Sequence, residues 1–400
     1  MNTCVGLARR SRGISIGAEC GPLAIIFIVA AVVAWFSHVY HEPWRDEIQV
    51  LLTAREVPWP GLLEACRVEG ATPAIYFLAK ALYSFADDLE VLTLVAAISQ
   101  ALLLGATFAL VRVLGNGRAA ALLVTLAFAT TFSFAYELGV IVRQYAAGMG
   151  LAFLSMAAFF SAQKMNQSLR HVAGAGVLAG LASATTTHAG CLSLSVALVF
   201  GALQGKRGQW GRLLTTAVSA MPGMVLTIYI IAPYANRTPV GNVPFAVSVE
   251  SAVGSVPRLV MSGLLPQARW SFPMAESSSH VGGFLLCALL VVVIGEGVRA
   301  GRLAPELLVL LGGALLSWAP LLYIFIYRYE GHHRHHVFLT IPVIVITAGL
   351  LAHDLSVRGT ARAFGLLGFA LIAPGSWCSG APQSFISWPM QHTRLFQRNW

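Results

Sequence analysis

Two adjacent carboxylates, Asp46 and Glu47, stand in the stretch HEPWRDEIQ (41–49), in a chain where only 11% of residues carry a charge. A carboxylate held beside an apolar run can act as a general base or as a ligand for a divalent cation such as Mg or Mn. Neighbours on a helix diverge by about 100°, so the two acids need not share a site. The plainer reading is a wet loop in which Arg45 offsets the charge, because acids cost little when hydrated. Further on, EGATPAIYF (69–77) sets Glu69 ahead of Gly70 and Pro73. Those residues suit a turn into a helix, and Glu69 also offers a second acid to the same site.

The cations form two groups. YELGVIVRQY (136–145) carries Arg143 at the mouth of an apolar run, two turns from Glu137 if a helix continues through it. Snorkelling to the membrane interface explains such an arginine, but its forked donors also suit a phosphate. RYEGHHRHH (328–336) crowds Arg328, His332, His333, Arg334, His335 and His336 between two apolar runs. A zinc site would want spaced ligands such as HExxH, and that spacing is absent. Several Arg and His donors at one surface favour an anion over a metal.

The rest of the chain must position these groups. Its 400 residues are 57% apolar, and the mean hydropathy is +0.72. Soluble domains carry roughly a quarter charged residues. The composition therefore predicts an all-α integral membrane protein. Runs near 21–39, 90–112, 118–136, 145–162, 170–187, 189–204, 213–233, 281–299, 303–327, 335–352 and 362–376 approach the roughly 20 residues a crossing needs, so about eleven transmembrane helices are expected. The segment 72–85 is short and acid-flanked, and it predicts an amphipathic helix lying on the outer surface. Basic residues gather in the connections 112–118, 164–170, 206–212, 299–302 and 358–362, which places those and the N-terminus in the cytoplasm. The first run reads as an uncleaved anchor rather than a signal peptide. The expected layout is a membrane domain over 1–376, with outer loops at 40–89 and 234–279, and a short outer tail over 377–400.

Several functions are excluded or disfavoured. No Walker or GxGxxG pattern occurs, and GISIG (13–17), the GxSxG match, precedes the first apolar run rather than forming a nucleophile elbow, so this chain is not itself an ATP-driven transporter or a serine hydrolase of that type. The net charge of +9 belongs to the membrane-facing loops, and no nucleic-acid partner is expected. Mid-helix positions nearly lack charges, which argues against an ion pump. A carrier or flippase for lipid-linked sugars remains the alternative to an enzyme, and it would need functional charges on both faces.

The order of these stretches resembles the GT-C-type membrane glycosyltransferases, the bacterial branch related to protein O-mannosyltransferases and to enzymes that add sugars to lipopolysaccharide. The resemblance rests on WRDEIQ, on AREVPWPGLLEACRVEGATP with Tyr76, Leu78 and Lys80 after it, on the Arg143–Tyr145 pair, and on the Arg334–His336 turn. It implies transfer of a hexosyl or pentosyl unit, with inversion, from a polyprenyl-phosphate-linked donor on the outer, periplasmic face of a bacterial inner membrane. In family terms Asp46 is the catalytic carboxylate and Glu47 its neighbour in the motif. Arg143, Arg328 and His332–His336 match basic positions facing the lipid phosphate. Related chains often read EGHPP where this one reads EGATP, so any role of the missing histidine is lost here. The acceptor is expected to be a hydroxyl on a protein, lipid or polysaccharide.

Overall fold

The apolar runs of the first 235 residues fold as helices in a computed structural model that describes residues 16–40, 45–69, 71–114, 117–129, 144–164, 168–205 and 210–235, with short pieces at 308–314, 316–317 and 345. Side chains at a few of these positions, Arg45 and Asp46 among them, lie outside the description. The long helices are α1 (Ile16–Tyr40), α5 (Asp88–Val113), α6 (Arg118–Ala129), α7 (Gln144–Lys164), α8 (Leu169–Thr185), α9 (Thr187–Gly205) and α10 (Trp210–Ala235). Each coincides with a predicted run. By length and composition, Glu90–Val113, Gln144–Gln163 and Trp210–Ile230 suffice to cross a membrane. The predicted runs from 281 onward lie outside the described residues, apart from helical residues at 308–314, 316, 317 and 345.

Cross-contacts give the directions of the helices. Ser155 Oγ donates to the carbonyl of Ala175 at 2.7 Å, and Arg212 Nη1 donates to Gln163 Oε1 at 2.9 Å. The start of α10 therefore lies beside the end of α7. At the other end, Tyr145 at the start of α7 meets His188 at the start of α9, with ring centroids 6.1 Å apart. Residues 145 and 163 are about 27 Å apart along the helix, close to the ~30 Å hydrocarbon thickness. Thus the end of α7 and the start of α10 lie at one end of the bundle, and the first-loop helices, through Thr72 at the end of α8 and Arg67 at Tyr229 of α10, lie at the other.

Small residues let the backbones approach. A Cβ on Gly223 of α10 would collide with the carbonyl of Gly180 on α8, and one on Gly180 would lie 2.8 Å from the carbonyl oxygen of Ala220. Buried Ser183 and Thr227 share a hydrogen bond of 3.0 Å across the same seam. Close contact of this kind replaces the hydrophobic effect that lipid does not supply. The central helix α7 has 78% of its apolar window buried, against 22% for α10. The outward face of α10 carries Leu214, Val218, Met221, Val225 and Ile228 at helical spacing.

Between α1 and α5 the chain builds a cap of short helices: α2 (Arg45–Glu56), a 3₁₀ turn (Trp59–Gly61), α3 (Leu62–Glu69) and α4 (Ala74–Leu82). Prolines set the breaks. Pro58 is extended ahead of the 3₁₀ turn, and Pro73 precedes α4. Asp87 and Glu90 form a capping box that starts α5. The predicted surface helix is α4, about 13 Å long and too short to cross. Ile75, Tyr76 and Ala79 pack with Val50, Ala54 and Leu62 in a second apolar core, so its apolar face meets protein.

Candidate functional site

Glu69, the last residue of α3, is held from two sides. Thr53 Oγ1 on α2 donates to Glu69 Oε1 at 3.1 Å, and Tyr76 OH on α4 donates to Glu69 Oε2 at 2.8 Å. Thr53 is 8% exposed and Tyr76 is 6% exposed, while Glu69 itself is half-buried. Burial pushes the Tyr76 phenol far up, and the neighbouring Glu69 charge pushes it further, so the hydroxyl keeps its proton and stays a donor. Burial followed by the same carboxylate pushes the Cys66 thiol up to about 12. Cys66 is a free thiol inside the cap.

Other acids of the cap meet arginines. Arg55 pairs with Glu56 at 3.1 Å and with Asp88 at 3.0 Å, and Arg67 pairs with Glu64 at 3.2 Å. Hydrogen bonding to Glu56, then the charge of Asp88, raises Arg55 above the ordinary arginine range. These pairs are exposed and contribute little to stability. Glu69 is different: among the described residues its hydrogen-bond donors are neutral hydroxyls.

The cap is fastened to the bundle at this end. Lys80 Nζ donates to the carbonyl of Ala54 at 2.8 Å and lies 5.8 Å from the Trp59 ring, tying α4 to the C-terminal end of α2. Thr72 donates its hydroxyl to the carbonyl of Thr185, the last residue of α8. This is the threonine of EGATP, in the place where the resembling EGHPP carries proline. The Arg67 guanidinium stacks over the Tyr229 ring of α10, 4.9 Å from its centroid.

The predicted residues divide as follows. Arg45 and Asp46 open α2, with their side chains outside the described residues, and Glu47 on the next position is fully buried. The roughly 100° between neighbours thus separates a core-facing Glu47 from the Asp46 position. Position 46 falls about 20° from Thr53 in azimuth and about 10.5 Å from it along α2, on the flank where Glu69 is held. Arg143, Arg328, His332, His333, Arg334, His335 and His336 lie outside the described residues.

Sequence reasoning missed Thr53, Thr72 and His188, and it gave no role to Tyr76, which it met only as part of the motif after EGATP. Thr53 and Tyr76 each stand seven positions after an acid, at Asp46 and Glu69, which is the one available signal and a weak one. His188, 5% exposed at the start of α9, follows Thr185, Thr186 and Thr187 and reads in the sequence as part of the polar break between two apolar runs. No set of three or more His, Cys, Asp or Glu side chains able to hold a metal occurs among the described residues. A cation at Asp46 would need ligands from beyond them.

No protein-family model matches the chain, and no curated protein sequence does. Solved structures do. The crystal structure of ArnT from Cupriavidus metallidurans bound to undecaprenyl phosphate aligns at TM-score 0.53 and 18% identity, over 89% of this chain and 64% of that one. Its apo form aligns at 0.55 and 19%, over 87% and 62%. The archaeal oligosaccharyltransferase AglB from Archaeoglobus fulgidus, in complex with an inhibitory peptide and a dolichol-phosphate, aligns at 0.53 and 12%, over 90% and 55%. The chain thus spans less than two thirds of the length of these structures. At such identities the likeness defines the architecture: this is an all-helical polytopic membrane protein with the GT-C fold that ArnT and AglB share.

Proposed function

We propose that the chain is a GT-C-type glycosyltransferase that moves a sugar from a polyprenyl-phosphate donor to an acceptor hydroxyl at the end of the bundle that carries the α2–α4 cap. The observation that carries this reading is the alignment with ArnT bound to undecaprenyl phosphate, over 89% of this chain. The cap supports it: Glu69 lies in the chain between Arg67, which stacks over Tyr229 of α10, and Thr72, which bonds the last carbonyl of α8, at the end of the bundle opposite the junction of α7 with the start of α10. By the positive-inside rule that end is periplasmic.

The proposed step is a single displacement. Asp46 takes the proton of the acceptor hydroxyl, whose oxygen attacks the anomeric carbon. The bond from that carbon to the phosphate oxygen breaks, the electron pair leaves with the polyprenyl phosphate, and the anomeric configuration inverts. Phosphate departs without needing a proton, so one base suffices. Arg143 and the Arg328, His332, His333, Arg334, His335 and His336 turn neutralise the charge that grows on the phosphate. Glu47 supports the start of α2 from within the core, and Glu69 is a further acid on the flank of α2 that bears Asp46. A divalent cation such as Mg or Mn, held by Asp46, would add charge neutralisation at the phosphate.

The test is release of undecaprenyl phosphate by purified protein given undecaprenyl-phosphate pentoses and hexoses together with a membrane lipid and protein extract. Asp46→Asn lowers that release by about 10²–10⁴-fold, with expression and insertion unchanged. Full release by Asp46→Asn refutes the assignment of the base. Movement of intact donor across liposomes, without release, selects a carrier instead.

A further inference from the structure

We propose that Thr53 and Tyr76 are positioning residues that clamp Glu69 as an accessible, uncompensated carboxylate, making it the partner acid of the Asp46 site. The inference rests on the transferase reading for its catalytic meaning, but the clamp itself rests on geometry.

Three observations carry it. First, each carboxylate oxygen of Glu69 receives its own donor, at 3.1 Å from Thr53 and 2.8 Å from Tyr76. Two bonds from two different helices fix both the rotation and the position of the group, and each oxygen keeps a second acceptor site. Second, the clamp spends neutral donors on an acid. Glu56, Glu64 and Asp88 are met by arginine. Among the described residues Glu69 is not, so its negative charge stays available to a hydroxyl proton or a cation. Third, the donors are nearly enclosed, at 8% and 6% exposure, while Glu69, the residue they hold, is only partly buried. A purely structural anchor would bury the acid along with its donors.

The clamp also selects the flank. Thr53 lies two turns beyond position 46 on α2, so holding Glu69 against Thr53 places the second acid on the flank that bears the first. Tyr76 contributes from α4, which Lys80 ties to the carbonyl of Ala54 at 2.8 Å. The tyrosine and lysine of the EGATP motif therefore serve the glutamate that opens it, one directly and one through the helix.

The experiment combines a double-mutant cycle with chemical labelling of the full chain in lipid nanodiscs. Release of undecaprenyl phosphate from undecaprenyl-phosphate sugars is followed in Tyr76→Phe, Thr53→Val, Thr53→Ser and Glu69→Gln. Carbodiimide modification of Glu69 and Glu64 is followed by peptide mass spectrometry without donor. Loss of one bond to a charged group corresponds to about tenfold. Tyr76→Phe and Thr53→Val each lower kcat about tenfold with KM within about twofold, and Thr53→Ser retains the wild-type rate. In the Glu69→Gln background Tyr76→Phe costs less than about twofold more, because its effect runs through the carboxylate. Labelling of Glu69 rises several-fold in Tyr76→Phe, with Glu64 unchanged.

An equal loss from Tyr76→Phe in both backgrounds overturns the proposal, as does unchanged labelling of Glu69. A wild-type protein that releases no undecaprenyl phosphate from any donor defeats the transferase reading alone. The labelling result then still decides whether the clamp exists.

Discussion

Thr72→Val tests how the cap is seated on the bundle. Thr72 is 5% exposed, and its hydroxyl donates to the carbonyl of Thr185, 113 positions along the chain. That carbonyl ends α8, where no further helical turn supplies a donor. Valine keeps the shape and removes the donor, leaving an enclosed carbonyl short of one bond. The cost is about 1–3 kcal/mol. Unfolding entropy of about 2.1 cal/mol/K per residue makes each kcal/mol worth roughly 1.2 °C in a chain of this length, so Tm falls by about 1–4 °C. The assay is thermal unfolding in detergent, read by cysteine accessibility, with Thr72→Ser as the control that restores the bond. Transfer activity falls with it, because α4 carries Tyr76 and so one half of the grip on Glu69. If Thr72→Val and Thr72→Ser melt together at the wild-type temperature, the bond does not seat the cap.

Two further outcomes follow from packing and burial. Gly223→Leu drives a side chain into the Gly180 carbonyl and destabilises by about 1–3 kcal/mol or more. Gly174→Ala, where an added Cβ meets nothing within 4 Å, is neutral or gains up to about 1 kcal/mol from helix propensity. Equal melting of the two variants contradicts the close α8–α10 seam. Cys66, pushed up to about 12 from an ordinary value of 9, stays a neutral thiol at pH 8 and resists maleimide until the protein is denatured. Its raised value favours the folded state fully below pH 9, and that contribution is lost as pH climbs from 9 to about 12. Rapid labelling of native protein at pH 8, read by mass spectrometry, would show that the cap is open.

The amino-acid sequence by itself determined the class and the positions of the long apolar helices within the first 235 residues, and its basic connections carry the expectation of sidedness. The reason is that a lipid core of fixed thickness demands apolar runs of fixed length and holds cations at one face. The short, acid-flanked 72–85 segment was legible as a non-crossing helix on the same grounds. Asp46, Glu47 and Glu69 stood out because acids are scarce in this chain, but scarcity does not say which acid faces inward. Tertiary structure decided that Glu47 belongs to the core and that Glu69 is gripped. Thr53 and Glu69 are 16 positions apart, and Thr72 and Thr185 are 113 apart. Such hydroxyls carry no periodic or charge signature, so only the folding of α2, α3 and α4 onto the ends of the long helices revealed what they hold.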